Sequence, residues 1–100
     1  MADQTIEKMN ESQIAAELEK YPEWSEVGGK IQRTFQFPSF VASIAFVQKL
    51  AEYAERVQHH PDVLIRYDKV TLTVSTHDAG GITHKDFDLA EESNRLSAPK

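Results

Sequence analysis

The hydrophobic period changes at Pro38-Ser39, and this change constrains the fold more than any other feature of the chain. Before it, in KIQRTFQF, Ile31, Phe35 and Phe37 share one side of an alternating run, as a half-buried strand requires. After it, Phe40, Ile44, Val47, Ala51 and Ala54 recur at helical steps, with Val41 and Leu50 beside them. That spacing predicts a helix of about 19 residues, roughly 28 Å long. It ends before Pro61, which forces extended backbone on His60.

The flanking segments supply the remaining elements. Upstream, Asn10 caps a first helix, with Gln13 completing a capping box. Ile14, Ala15 and Leu18 form its apolar stripe, and Pro22 stops it. WSEV and KIQRTFQF are strands joined at Gly28-Gly29, where both residues tolerate positive φ. Downstream, VLIRY and KVTLTVSTH form a second hairpin through Tyr67-Asp68-Lys69. Val70, Leu72 and Val74 point one way; Thr71, Thr73, Ser75 and His77 point the other. Gly80-Gly81 begins a turn, and Thr83 with Asp86 forms a capping box with Asp in the acidic slot. A final helix carries Phe87, Ala90 and Asn94 on one face. The order α-β-β-α-β-β-α predicts an α+β fold, a four-stranded antiparallel sheet with three helices packed on one face. One domain is expected over residues 10–96, between loose tails at 1–9 and 97–100.

Charge and composition narrow the function. Sixteen acids against eleven bases leave a formal charge of -5, without the basic stripe of a nucleic-acid binder. The same balance gives no attraction to an anionic membrane. No apolar run approaches the roughly 18 residues of a membrane span. The chain has no cysteine, which removes disulfides, thiolate metal sites and thiol catalysis. The polar start, MADQTIEKMNES, is unlike a targeting peptide, and the cytoplasm is the expected location.

The chemistry lies in AERVQHHPDV and its surroundings. Histidine gives and takes protons near neutral pH without tuning. His59 and His60 are adjacent, and His77 ends the last predicted strand. Adjacent residues in extended backbone send side chains to opposite sides. The pair therefore flanks a small flat substrate, or one member joins His77 across a gap between strands. Three imidazoles can hold a zinc ion with one open position, but adjacent histidines in extended backbone ligate one ion poorly, and no metal is expected. Glu55 reads either as an exposed helical acid or as a group that orients His59 or binds a donor-rich ligand. Asp62 and Asp78 each follow a histidine segment. Trp24 reads as core, and His84, Arg66 and Lys69 as solvated. Neither glycine pair has phosphate-loop spacing, and no serine sits in a nucleophile elbow.

Taken together, AERVQHHPDV, YDKVTLTVSTHDAGGIT and DFDLA resemble the pterin-4a-carbinolamine dehydratase family, with the likeness running from about Trp24 to Leu96. The resemblance implies dehydration of 4a-hydroxytetrahydropterin to quinonoid dihydropterin and water, in support of tetrahydrobiopterin recycling and without a cofactor. It also implies His59, His60 and His77 as the catalytic set, with Glu55, Pro61, Asp62, Thr76 and Asp78 around the substrate. His59 and His77 are expected to transfer protons and His60 to bind and polarise, although which imidazole is acid and which is base stays open. Val63 stands where family members commonly carry tryptophan, which alters the expected pocket.

The family resemblance further implies a homodimer or homotetramer. Neither the WSEV strand nor the strand ending at His77 carries a proline to block pairing at a sheet edge. Some members of the family also act as dimerisation partners of a transcription factor, and that role, or pterin binding without turnover, is the alternative to catalysis.

Overall fold

The computed structural model describes residues 7–98. Its elements are α1 (Glu11–Leu18), β1 (Ser25–Val27), β2 (Lys30–Gln36), α2 (Phe40–Val57), β3 (Asp62–Arg66), β4 (Lys69–Val74) and α3 (His84–Ser97), with a single 3-10 turn at His77–Ala79. The order is α-β-β-α-β-β-α, with four antiparallel strands and three helices. The α+β class and element order expected from the sequence are those observed. No helix among the described residues is long and apolar enough to cross a membrane.

Local chemistry sets the ends of the elements. Asn10 and Gln13 form the expected reciprocal capping box on α1. Ser39 caps α2 by accepting from the Ala42 N–H. Gly28 and Gly29 adopt φ of 59° and 81°, as a tight turn matched to strand twist requires. The tails expected at residues 1–9 and 97–100 lie partly outside the described residues. Within them, the Met9 N–H donates to the Ile82 carbonyl, and Ser97 is the last residue of α3.

The sheet order is β1-β2-β4-β3. One face is apolar: Ile31 and Phe35 from β2 meet Val70, Leu72 and Val74 from β4 beneath the helices. The opposite face is polar and knits itself together across the strands. Gln32 donates to Thr73 Oγ1, and the Thr34 and Thr71 hydroxyls lie 2.8 Å apart. These are cross-strand neighbours in the register. Trp24 is buried, and its indole N–H donates to Asn94 Oδ1 on α3.

Two expectations need correction. The face that α2 buries is centred on Ser43, Phe46, Leu50 and Ala54. The stripe read from the sequence lies to one side, so Phe40 and Val41 are 50% and 76% exposed. Small Ser43, whose hydroxyl donates to the Ser39 carbonyl, hides the true centre from a hydrophobic count. The strand leading to His77 is also not an edge. β4 lies inside the sheet and stops at Val74, the edges are β1 and β3, and His77 opens the 3-10 turn.

Candidate active site

The paired histidines owe their positions to the way α2 ends. Gln58 adopts the left-handed conformation at φ 55°, and the His59 N–H reaches back to the Ala54 carbonyl. This closes the helix in the manner of a Schellman turn, with glutamine where glycine is usual. The chain then enters β3 through Pro61, and the two imidazoles part.

His59 turns inward, and its Nε2 lies 2.6 Å from Oδ1 of Asp86. Asp86 is fully buried at the start of α3. Its second oxygen accepts from the Thr83 N–H and the Thr76 hydroxyl, both at 2.9 Å. Since the Thr76 proton goes to Asp86, the Thr83 hydroxyl donates to Thr76 Oγ1 at 2.6 Å. One carboxylate therefore ties His59 to Thr76, the residue before His77.

His60 turns outward. Its Nε2 lies 2.6 Å from Glu55 Oε2, one turn back along α2, and both side chains are largely exposed. His77 is held by the short turn behind it. The Thr76 N–H donates to the Gly81 carbonyl, and Gly80 closes the turn at φ 78°.

His60 and His77 meet on one polar cleft of about 260 Å³, lined also by Lys30, Asp62, Thr73, Val74 and Ser75. It lies at one end of the polar sheet face and spans β2, β4 and β3. A smaller apolar hollow of about 150 Å³ lies between α2 and β3. Val47, Leu50, Ala51, Ala54, Pro61 and Val63 supply its apolar wall, and Glu55 and His60 its polar rim. His60 is thus common to both spaces.

The sequence-predicted residues distribute as follows. His60, His77 and Asp62 share the cleft. Glu55 and Pro61 border the hollow, and Thr76 is buried beneath His77 in the Asp86 network. Asp78 is exposed in the 3-10 turn and does not line the cleft. His84 is exposed and pairs with Asp88 at 3.3 Å. Among the described residues, no group of three or more His, Asp or Glu converges as a metal site.

Two residues escaped the sequence reading. Asp86 was legible only as a helix cap; the signal was its short side chain in a slot that Glu or Gln commonly fills. Lys30, first in β2, gave no signal, because a lysine after a turn looks like any solvated cation.

Two imidazoles on one polar cleft can give and take protons near neutral pH. The comparisons with known proteins agree in placing the chain. Residues 7–96 match the family described as pterin 4 alpha carbinolamine dehydratase. A relative from Picosynechococcus sp., named "Putative pterin-4-alpha-carbinolamine dehydratase", is 52% identical over 89 residues, which are 89% of this chain and 97% of the relative. One of the same name from Nocardia farcinica is 48% identical over 93% of this chain and 98% of its own. The crystal structure of a transcriptional coactivator/pterin dehydratase from Brucella melitensis superposes with a TM-score of 0.88 at 30% identity, covering 91% of this chain and 99% of that one. A pterin dehydratase-like protein identified as a RuBisCO assembly factor in the alpha-carboxysome shares the fold, with a TM-score of 0.66 at 22% identity over 78% of this chain and 93% of its own. With a match over nearly its whole length, the chain belongs to the pterin 4 alpha carbinolamine dehydratase family.

Proposed function

We propose that this chain dehydrates a 4a-hydroxytetrahydropterin to the quinonoid dihydropterin and water by histidine acid–base catalysis. The observation that carries this reading is the sharing of one polar cleft by His60 and His77. The substrate is a carbinolamine, with a hydroxyl on the carbon next to a ring N–H. An acid protonates the departing hydroxyl, the C–O bond breaks, and water leaves. A base takes the N–H proton while the nitrogen electrons form the C=N bond. One imidazole delivers a proton and the other collects one, so the pair ends with its protonation reversed and resets by exchange with water, with no resident metal or cofactor.

The roles follow from the surroundings. A carboxylate beside an imidazole fixes its tautomer and ring orientation. His60, its ring held by Glu55, and His77 both line the cleft and are assigned as the proton-transfer pair. His59 is a positioning residue: through Asp86 it locks the segment carrying His60 to the segment carrying His77. This exchanges the roles first expected of His59 and His60, because His60 lines the cleft and His59 faces Asp86. Asp62, on the cleft wall, is assigned to the donor-rich pyrimidine edge of the pterin, with Thr76 and Pro61 shaping the site. We place the reaction in the cytoplasm.

The test is the decay of freshly made 4a-hydroxytetrahydropterin, followed spectroscopically. Faster decay with the protein, saturating in substrate, supports the reading. Tight binding of a pterin with no acceleration replaces the enzyme by a binding module.

A further inference from the structure

The charged groups of the cleft form a pattern that the proton-transfer chemistry does not use. Lys30 and Asp62 line opposite sides of it, on β2 and β3, with β4 between them. Adjacent strands lie about 4.8 Å apart, so the two charges stand on strands roughly 10 Å apart. The register offsets them further: Asp62 pairs with Thr73, whereas Lys30 precedes Ile31, the partner of Val74. No ion pair among the described residues joins them or engages either one. The imidazoles of His60 and His77 are on the same cleft.

This separation orients a pterin. If Asp62 accepts from the adjacent amino and N–H groups of the pyrimidine ring, the reacting carbon and nitrogen come toward the imidazoles. The pyrazine ring and its 6-substituent then extend toward β2, where Lys30 waits. Resting on the pterin reading of the cleft, we propose that Lys30 is a specificity-determining residue that selects pterins whose 6-substituent carries a negative charge, such as a carboxylate or phosphate. A lysine ammonium is a strongly hydrated point charge with three donors, suited to an anion at the mouth of a cleft. A neutral hydroxyl would accept from it more weakly than an anion does.

The test uses the native fluorescence of oxidised pterins, titrated against the intact protein. Pterin-6-carboxylate is compared with 6-hydroxymethylpterin at low and high salt. The wild type should bind the carboxylate about fivefold or more tightly, a ratio that falls with added salt. In Lys30→Gln the ratio should fall to near one, and Lys30→Arg should restore part of it. A wild-type ratio within twofold of one, or an unchanged ratio in Lys30→Gln, overturns the assignment of Lys30 and leaves the pterin reading standing. Binding of neither pterin overturns both.

Discussion

The imidazole of His59 and the carboxylate of Asp86 lie 2.6 Å apart, although 27 residues separate them in the chain. Asp86 is fully buried and receives donors from His59, Thr76 and the Thr83 backbone. An ionised carboxylate has only acceptors, so this site suits it. Asp86→Asn replaces one acceptor oxygen by an amide donor, which faces either the Thr76 and Thr83 donors or a His59 ring forced to change tautomer. An unsatisfied buried donor costs about 1–3 kcal/mol. Asp86→Asn should therefore lower the unfolding free energy by about that amount and slow turnover beyond the loss in folded fraction. Denaturant titration with kinetics on the same sample measures both. Unchanged turnover in the folded Asn variant would remove the positioning role.

His60→Gln and His77→Gln remove a proton-transfer group from the cleft wall. Each should lower kcat by about 10²–10⁴, the usual worth of a positioned general acid or base. Both side chains lie on the exposed rim, so thermal unfolding should hardly move. His84→Ala is the control, since His84 is exposed and, among the described residues, its side chain hydrogen-bonds Asp88 alone. If His84→Ala is as damaging as His77→Ala, the site is misplaced.

Metal dependence separates acid–base from Lewis-acid chemistry. His59 is held by Asp86 and His60 by Glu55, so the neighbouring imidazoles point to different partners. Extensive chelation followed by dialysis should leave the dehydration rate unchanged. A rate lost on chelation and recovered with zinc would refute the proton-transfer scheme.

The stability of the helix layer rests on a shared acceptor. Asn94 Oδ1 accepts from the buried Trp24 indole at 2.9 Å and from Arg33 Nη1 at 2.6 Å. The Arg33 guanidinium also lies over the Phe35 ring, and burial lowers its pKa from the ordinary value. Asn94→Ala removes the acceptor of both donors. It should destabilise by about 1–3 kcal/mol, read as a lower denaturant midpoint at unchanged slope. Turnover of the folded fraction should be unaffected, because Asn94 lies outside the cleft.

How far the sequence carried the fold can be judged at single residues. Asn10, Gln13, Thr83 and Asp86 in its capping role act through bonds to residues a few positions away, and such bonds are legible in a linear string, as is the positive φ of Gly28. The alternation in β4 was equally plain, because its two faces see different environments. The buried face of α2 was misread because α2 is apolar on two adjacent stripes, and a periodicity count cannot tell which one meets the sheet. Left-handed Gln58, which sets the directions of His59 and His60, carries no glycine to announce it. Lys30 reaches the cleft only through the order β2-β4-β3, which depends on how the two hairpins pack.

That second stripe on α2 leads to the final prediction, self-association. Phe40 and Val41 are exposed on α2, and Val63 and Leu64 are exposed on β3, an edge of the sheet. An apolar hollow between α2 and β3, lined by Val47, Leu50, Ala51, Ala54 and Val63, opens beside that edge. A single exposed apolar side chain is ordinary, but an apolar hollow beside an unpaired strand edge is not. A 100-residue chain also buries a modest share of its surface, so a partner adds usefully to its stability. Pairing β3 with β3 of a second copy would satisfy the edge backbone groups and bring two α2 stripes side by side. Val63 is small enough to leave the hollow open to the neighbour's side chains. Light scattering at micromolar concentration should report at least twice the 11.3 kDa chain mass. Val63→Glu, which puts a charge on the joint between strand and helix, should shift the population toward monomer. A wild type that scatters as a monomer refutes the interface and leaves the chemistry of His60 and His77 intact.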